Sequence, residues 1–307
     1  MRKRCAAYTH NDMTTDLISE INTSTTGIRL ALWMGRHLPQ QSGYRIAALL
    51  AEIAATRRNS KLVRAIRLNQ SVVLGEVEES RTVTEQVRRV LRNQSRYLFD
   101  FYHLLNRPDA VVDKVGIDPQ LTKALADAKK QQRGLLLLTA HTSAYDLAGL
   151  SLAYRGLKPL VLGVPNPPKS YQRQNRLRSE RGLLTLPMRI EALQRARAQL
   201  QAGGLVVTGL DRPHPGVRHH PRFFNRPSNL PVAYVRLALK TGARVHFVAC
   251  RDLPAGAYEI NCSEAIEFSP RPQPADEMLV NAEAALQQAE VFIQHDPTQW
   301  MMFFPVW

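Results

Sequence analysis

The chain has 307 residues, of which 44% are hydrophobic and 22% are charged. These proportions are those of a globular protein with a sizeable core, and they exclude wholesale disorder. Lysine and arginine number 41 against 26 acidic residues, and the resulting net charge of +15 suits polyanionic partners such as nucleic acid, anionic lipid or an acidic carrier protein.

The amino-terminal segment, residues 1–26, is polar and lacks the continuous apolar stretch of a signal peptide. We predict that it is a flexible tail. No run of about 20 apolar residues follows, so we predict no membrane span. The three cysteines, Cys5, Cys250 and Cys262, are odd in number and form no CxxC pair, which argues against a disulfide framework and a cysteine-rich zinc site.

Residues 27–133 have the pattern of a helical region. Apolar residues recur at helical spacing in GYRIAALLAEIAATRR and in TVTEQVRRVLRNQSRYLFDFYHLLN. The second segment begins with Thr82 and Glu85, a pair that predicts a capping box. Four arginines of this helix either face solvent or form a cationic strip against lipid phosphates; they are Arg88, Arg89, Arg92 and Arg96. A further helix is predicted after Asp118, with that residue as its cap.

Residues 134–307 alternate between short apolar runs and helical patterns. The runs LLLLTA, KPLVLGV, LLTL, LVVTGL and RVHFVACR predict buried strands. Such alternation predicts an α/β fold with a central, mostly parallel sheet flanked by helices. We therefore expect a single domain over residues 27–307, with a helical part (27–133) followed by an α/β part (134–307).

A histidine and an aspartate follow the first predicted strand, in LLLLTAHTSAYDLAG. Functional groups collect at the carboxyl ends of strands in such sheets, and His141 lies two residues beyond Thr139. If His141 lies in the loop, with Thr142 and Ser143 available as helix caps, Asp146 can reach its imidazole. An imidazole so oriented can accept the proton of an attacking hydroxyl. The other interpretation is a chance pair on the polar rim of a buried strand.

The sequence gives less support for a catalytic or binding role of several other residues. Ser143 is disfavoured as a nucleophile because it lacks the GxSxG turn. The histidines of HPGVRHH are disfavoured as metal ligands, since no carboxylate or cysteine is near them and two arginines would repel a cation. Phe223 and Phe224 fit a buried core better than the wall of an acyl channel.

The segment HTSAYDLAG resembles the His-x4-Asp/Glu block of the lysophospholipid acyltransferase superfamily. It is most similar to the branch of lipid A lauroyl/myristoyl and phosphatidylinositol mannoside acyltransferases, which typically reads H-x-G-N-W-E/D here. Ser143, Ala144 and Tyr145 depart from that pattern.

Further blocks with this resemblance follow in the same order. RLRSERGLLTLP resembles the branch's arginine-containing helix, and DPTQWMMFFPVW resembles its carboxyl-terminal end. Between them, GLDRP, FFNRP and TGA resemble D-Q/R-D, F-F-G-x-P and T-G-A, with Pro213 in place of the second acid and Asn225 in place of glycine. The blocks extend over roughly residues 28–307. The F-P-E-G-T-R-S block of glycerol-3-phosphate acyltransferases has no counterpart here, which favours a glycolipid hydroxyl as acceptor.

The resemblance implies a monotopic acyltransferase on the cytoplasmic face of the bacterial inner membrane, docked on anionic lipid through residues 27–133. Residues 134–307 would be the catalytic part, which moves a fatty acyl group from acyl-CoA or acyl carrier protein to the glycolipid. His141 would be the general base and Asp146 its orienting partner. Arg178, Asp211 and Arg212 would bind substrate. Asp211 would either bond to Arg178 or hold the loop in which Asp211 itself lies.

No cofactor, metal or nucleic acid is expected besides the acyl donor, and we expect a monomer. Two other functions stay open. A catalytically inactive relative that binds lipid is suggested by the altered interior of the histidine block. A nucleic-acid-binding module is suggested by the net charge alone, because no recognition motif accompanies it.

Overall fold

The computed structural model describes residues 25–167, 169–214 and 216–307. The predicted tail, residues 1–26, lies outside this part of the chain apart from the start of the first helix, and so does Cys5. The described helices are α1 (Thr25–His37), α2 (Gln40–Thr56), α3 (Lys61–Leu74), α4 (Arg81–Leu104), α5 (Pro108–Lys114), α6 (Pro119–Lys130), α7 (Tyr145–Tyr154), α8 (Lys169–Ser179), α9 (Ile190–Gln201), α10 (Ala233–Thr241) and α11 (Pro274–His295).

The described strands form one large sheet and one small hairpin. They are β1 (Val115–Ile117), β2 (Leu135–Thr139), β3 (Leu160–Gly163), β4 (Leu184–Pro187), β5 (Leu205–Gly209), β6 (Arg222–Phe223), β7 (Arg226–Pro227), β8 (Arg244–Asp252) and β9 (Tyr258–Cys262). The seven-stranded sheet has the order β1-β9-β8-β2-β5-β3-β4, and its neighbours are parallel except for β8 and β9. The predicted α/β fold class, with a mostly parallel sheet and a helical amino-terminal region, is therefore confirmed.

Strand β2 lies at the centre of the sheet and is covered on both faces. Leu135 and Leu137 pack into the core that contains the amino-terminal helices. Leu136 and Leu138 pack into a second core formed with α9, α10 and α11. A strand buried on both faces has to be apolar at every position, which explains the uninterrupted leucine run.

The two predicted parts of the domain share this sheet. Strand β1, which comes from the part predicted to be helical, pairs in parallel with β9 at the sheet edge. Asp118 then caps α6, as predicted, by accepting a 2.7 Å hydrogen bond from the backbone N–H of Leu121. Its other carboxylate oxygen accepts the N–H of Cys262. One aspartate thus joins the helical region to the edge of the sheet.

Helices α2 and α4 pack closely because the buried face of α2 carries small residues. These are Gly43, Ala47, Ala51 and Ala54. A Cβ atom added at Gly43 would lie 2.1 Å from the ring of Phe99 in α4, so only glycine fits there. Helix α4 is capped by Ser80, whose hydroxyl accepts the N–H of Val83 at 3.1 Å. The predicted capping box beginning at Thr82 is wrong because the helix starts earlier.

The arginines of α4 divide into two groups. Arg92 pairs with Glu52 of α2, and Arg96 pairs with Asp252 of β8. The partly buried pair of Arg96 and Asp252 joins the helical region to the sheet, whereas the pair of Arg92 and Glu52 is exposed and contributes little. Arg88, Arg89 and Arg92 are exposed, so the predicted choice between a solvated face and a lipid-binding strip concerns these three arginines. In the described ranges, no helix combines the length and the hydropathy that crossing a bilayer requires.

Candidate active site

Strand register places His141 beside Asp211. Parallel strands β2 and β5 are neighbours, and Thr139 lies opposite Gly209. His141 and Asp211 each follow by two residues, so the same register brings them together at the carboxyl edge of the sheet. The His141 Nδ1 atom lies 2.7 Å from Asp211 Oδ1, and the His141 backbone N–H donates to Oδ2 at 2.8 Å.

Asp211 is fully buried and is surrounded by hydrogen-bond donors. The indole N–H of Trp300 donates to the same Oδ2 at 2.9 Å. Burial alone would raise the pKa of Asp211, but the charge and hydrogen bonds of His141, together with the indole N–H, hold that pKa below its ordinary value. Because the carboxylate is ionised, Nδ1 of His141 carries the proton. Nε2 is then the nitrogen that can accept one.

The loop that carries His141 is fixed by the carboxyl-terminal segment. The Met301 N–H donates to the His141 carbonyl at 2.6 Å, and the Ser143 N–H donates to the Gln299 carbonyl at 2.7 Å. An antiparallel bridge joins Thr142 to Trp300 between these two bonds. The backbone on both sides of the imidazole is therefore held in place by residues that lie more than 150 positions later.

Asp146 does not have the partner that the sequence predicted. Helix α7 begins at Tyr145, and its N-cap is Ala144 without a side-chain hydrogen bond, so capping by Thr142 or Ser143 is wrong. The Asp146 carboxylate instead lies 2.8 Å from Nη2 of Arg178. The start of α7 turns Asp146 towards α8, whereas strand register gives His141 the carboxylate of Asp211. Both the predicted His141–Asp146 pair and the suggested Asp211–Arg178 bond are corrected by these contacts.

Arg178 is nearly enclosed, with 11% of its side chain exposed. It also donates to the side-chain oxygen of Asn175 at 2.7 Å. Burial would lower the pKa of Arg178, but the charge of Asp146 outweighs this and raises the pKa above its ordinary value. The pair Asp146–Arg178 is therefore an ion pair that joins α7 to α8.

A cavity of about 990 Å³ opens onto the carboxyl edge of the sheet. All the predicted site residues except the buried Asp211 line it: His141, Asp146, Arg178 and Arg212. Apolar lining residues include Leu137, Ala148, Leu152, Val161, Leu183 and Ile260. Exposed cations on its rim include Arg189, Arg197, Arg218, Arg236 and Lys240. The cavity thus offers an apolar wall, a histidine and a cationic mouth.

Two aromatic contacts position side chains at this cavity. Tyr145 lies edge-on to the His141 ring, with centroids 5.0 Å apart. The Arg212 guanidinium lies over the rings of Tyr171 and Phe304, at 5.1 and 4.4 Å from their centroids. Arg212 is therefore held by cation–π contacts with two aromatic rings.

The remaining sequence predictions for this region have mixed outcomes. Phe223 is fully buried against Phe224, Trp300 and Trp307, which confirms a core position. His214 and His219 line the cavity, and no group of three potential metal ligands occurs among the described residues. Trp300 was missed as a site residue because nothing in its sequence surroundings indicates that its indole reaches Asp211.

Two departures from the resembled pattern lie at left-handed backbone positions. Ser143 has φ 48° and Asn225 has φ 58°, and both stand where the pattern has glycine. Glycine adopts positive φ without steric cost, and asparagine tolerates it better than most residues. The turn is thus retained at both positions, but at Ser143 with strain.

Replacing Ser143 with glycine is expected to stabilise the protein by about 1 kcal/mol. A left-handed residue other than glycine costs about 1–2 kcal/mol, partly offset by the greater freedom of glycine in the unfolded chain. Urea unfolding of Ser143→Gly beside Ser143→Ala measures this, because alanine also removes the hydroxyl but keeps the strained Cβ. An equal gain in both variants would contradict the backbone explanation.

Replacing Trp300 with phenylalanine is expected to lower kcat about tenfold and leave KM unchanged. The variant keeps an aromatic ring but removes a hydrogen bond to a buried carboxylate, which contributes about 1.5–3 kcal/mol. Trp307→Phe is the matched control, since its indole donates to the Phe223 carbonyl in the same aromatic cluster. If both variants lose activity in proportion to their thermal stability, Trp300 has only a packing role.

A family model described as "Bacterial lipid A biosynthesis acyltransferase" matches residues 21–307, which is most of the chain. No curated protein matches the sequence.

Proposed function

Because the chain belongs to the bacterial lipid A biosynthesis acyltransferase family, it is an acyltransferase of lipid biosynthesis, and we propose that it acylates a hydroxyl group of a membrane glycolipid. The donor would be acyl-CoA or acyl carrier protein. The acceptor would be a lipid A-like or phosphatidylinositol mannoside-like glycolipid. The observation that carries this proposal is the His141–Asp211 pair, whose imidazole lines a cavity large enough for an acyl chain.

The proposed reaction needs no nucleophile from the enzyme. The glycolipid oxygen attacks the thioester carbonyl carbon while Nε2 of His141 takes its proton. Asp211 holds the other ring nitrogen and stabilises the imidazolium that forms. When the tetrahedral intermediate collapses, the C–S bond breaks and the imidazolium returns the proton to the leaving thiolate. The products are an ester and a free thiol, and His141 is neutral again.

The other predicted site residues receive distinct roles in this proposal. Asp146 and Arg178 neutralise each other, so they would shape the cavity wall between α7 and α8 rather than hold a substrate phosphate. Arg212 has no such carboxylate contact among the described residues. It would therefore bind a phosphate of the donor or acceptor, assisted by the exposed cations at the mouth.

Attachment to the cytoplasmic face of the inner membrane would occur through an apolar surface on α1 and α2. The α1–α2 surface consists of Leu30, Trp33, Ile46, Leu49 and Ile53, which are 50%, 55%, 38%, 62% and 43% exposed. Arg29, Arg36 and Arg45 are interspersed with these residues in sequence. Exposed apolar side chains with a tryptophan and adjacent arginines are typical of helices that lie in the membrane interface.

The reaction is tested with purified protein, isotopically labelled acyl-CoA or acyl carrier protein, and glycolipid extracts. Mass spectrometry is expected to detect a glycolipid heavier by one acyl group and free thiol in equal amount. The His141→Ala protein is the control for spontaneous transfer. If every donor stays intact while the wild-type protein binds the lipid, the chain is an inactive relative and the proposal falls.

A further inference from the structure

A second indentation lies among α2, α3 and α4, apart from the candidate active site. Its volume is about 250 Å³, and it shares no lining residue with the large cavity. It is lined by Ala55, Thr56, Arg58, Arg67, Thr84, Val87 and Arg88. Three of these seven residues are arginines and none is a carboxylate, so this arginine pocket concentrates positive charge.

One of the three arginines is held rigidly. Nη1 of Arg67 donates to the Glu78 carbonyl at 2.6 Å and to the Thr84 hydroxyl at 3.1 Å. Both bonds use the same nitrogen, and no group of the described residues forms a hydrogen bond or an ion pair with Nε or Nη2 of Arg67. A guanidinium fixed on one side can present its other donors to a ligand with little further loss of freedom.

Nearby carboxylates do not neutralise the positive charge of the arginine pocket. Glu85 contacts Arg88 at 3.8 Å, as an exposed pair one turn apart on α4, and such pairs contribute little. Glu52 is engaged by Arg92. The carboxyl end of α2 favours a cation nearby, which accounts for Arg58, but the amino end of α4 adds positive potential. A bound anion would relieve the remaining repulsion, and guanidinium groups match phosphate oxygens especially well.

The pocket lies at the carboxyl-terminal end of the apolar face of α2. On α2, Ile46, Leu49 and Ile53 are spaced three and four residues apart and therefore share one face. Thr56, three residues later on the same face, lines the arginine pocket. When the apolar face enters a bilayer, the pocket would therefore be at the level of the lipid phosphates.

We propose that the arginine pocket binds the phosphate of an anionic phospholipid headgroup and thereby makes membrane attachment selective for anionic lipid. This inference rests on the proposed attachment through the α1–α2 surface and not on the acyl transfer reaction. The occupant is a lipid phosphate rather than a soluble one because the pocket is continuous with the apolar face of α2.

The test compares binding of the full chain to phosphatidylcholine vesicles with and without phosphatidylglycerol. Arg58→Gln/Arg88→Gln removes two pocket charges and keeps Arg67, which the fold uses. We expect this variant to bind the anionic vesicles at least tenfold more weakly, since each cation at such a surface contributes about a factor of five. Binding to phosphatidylcholine alone should be unchanged.

The matched control is Arg195→Gln/Arg271→Gln, which removes the same charge from two exposed sites outside both cavities. It should weaken binding less than threefold. Equal losses of vesicle binding in the two double variants would mean that only the overall charge matters. That result would overturn the proposal that the arginine pocket binds a lipid phosphate. Saturable binding of inorganic phosphate that the pocket variant loses, without any change in vesicle binding, would overturn the lipid assignment.

A second double variant tests membrane attachment through the α1–α2 surface separately from the arginine pocket. Trp33→Ala/Leu49→Ala should weaken binding to both kinds of vesicle, because it removes apolar contact rather than charge. If the wild-type protein binds neither kind of vesicle, both the proposed membrane attachment and the proposed phosphate binding by the arginine pocket are refuted. Acyl transfer to detergent-dispersed glycolipid should continue in the pocket variant, and its loss there would place the pocket within the substrate site instead.

Discussion

Replacing His141 with alanine is expected to lower acyl transfer by at least 10²- to 10⁴-fold, the contribution typical of a positioned general base. No other described side chain both lines the cavity and has an imidazole nitrogen fixed by a buried carboxylate. Without Nε2, the glycolipid hydroxyl would have to attack with its proton in place. The measurement is kcat/KM for transfer from a thioester donor.

The fold of this variant should persist, since His141 is partly exposed and its backbone bonds to Met301 and Asp211 do not need the ring. Circular dichroism and donor binding are the controls. His219→Ala is a matched variant, because His219 also lines the cavity, whereas the side-chain partners of Asp211 are His141 and Trp300. Normal turnover by His141→Ala, or an equal loss in both variants, would refute the assignment of the base.

Replacing Asp211 with asparagine is expected to lower kcat by about 10³- to 10⁴-fold, by forcing the wrong tautomer of His141. The His141 backbone N–H and the Trp300 indole both donate to Oδ2. The amide oxygen of asparagine would occupy that position and turn its NH₂ group towards Nδ1. The ring proton would then move to Nε2, where it blocks acceptance of the substrate proton.

Asp146→Asn is the comparison that separates the two carboxylates. It leaves the Arg178 guanidinium without its counter-charge, and breaking a buried pair costs about 3–5 kcal/mol. Because 22% of the Asp146 side chain is exposed, the loss of unfolding free energy should lie at or below the lower end of this range. Activity per folded molecule should exceed that of Asp211→Asn. The reverse order of activities would restore Asp146 as the partner of His141.

The pH dependence of stability is an independent test of the lowered pKa of Asp211. Its pKa is lower in the folded protein than in the unfolded chain, so the carboxylate contributes stability above the ordinary pKa of about 3.9. That contribution is lost as the pH falls through the lower folded pKa. Asp211→Asn should therefore be less stable than wild type at pH 6, and the difference should narrow as the pH falls below about 3.9. A constant difference across this range would exclude the linkage.

The sequence was sufficient to place His141 and Asp211 at the site, but not to identify which carboxylate pairs with His141. His141 and Asp211 both follow apolar strands, so their location at the carboxyl edge of the sheet could be inferred from the sequence. Their contact also required that β2 and β5 be neighbours in register, and strand order depends on interactions between segments 70 residues apart. Spacing along the chain favoured Asp146 because it is near His141 in sequence, although it faces α8 in space.

The sequence by itself determined the alternation of helices and strands, the uninterrupted apolar strand at the sheet centre, and the histidine at that strand's end. Hydrophobic periodicity and chain direction are local properties, so the residues of each segment are sufficient to specify them. Only the tertiary structure decided which carboxylate meets the imidazole, that Trp300 binds this carboxylate, and that three arginines line one pocket. Those contacts depend on strand order and on helix packing between distant segments, and no local pattern encodes either of them.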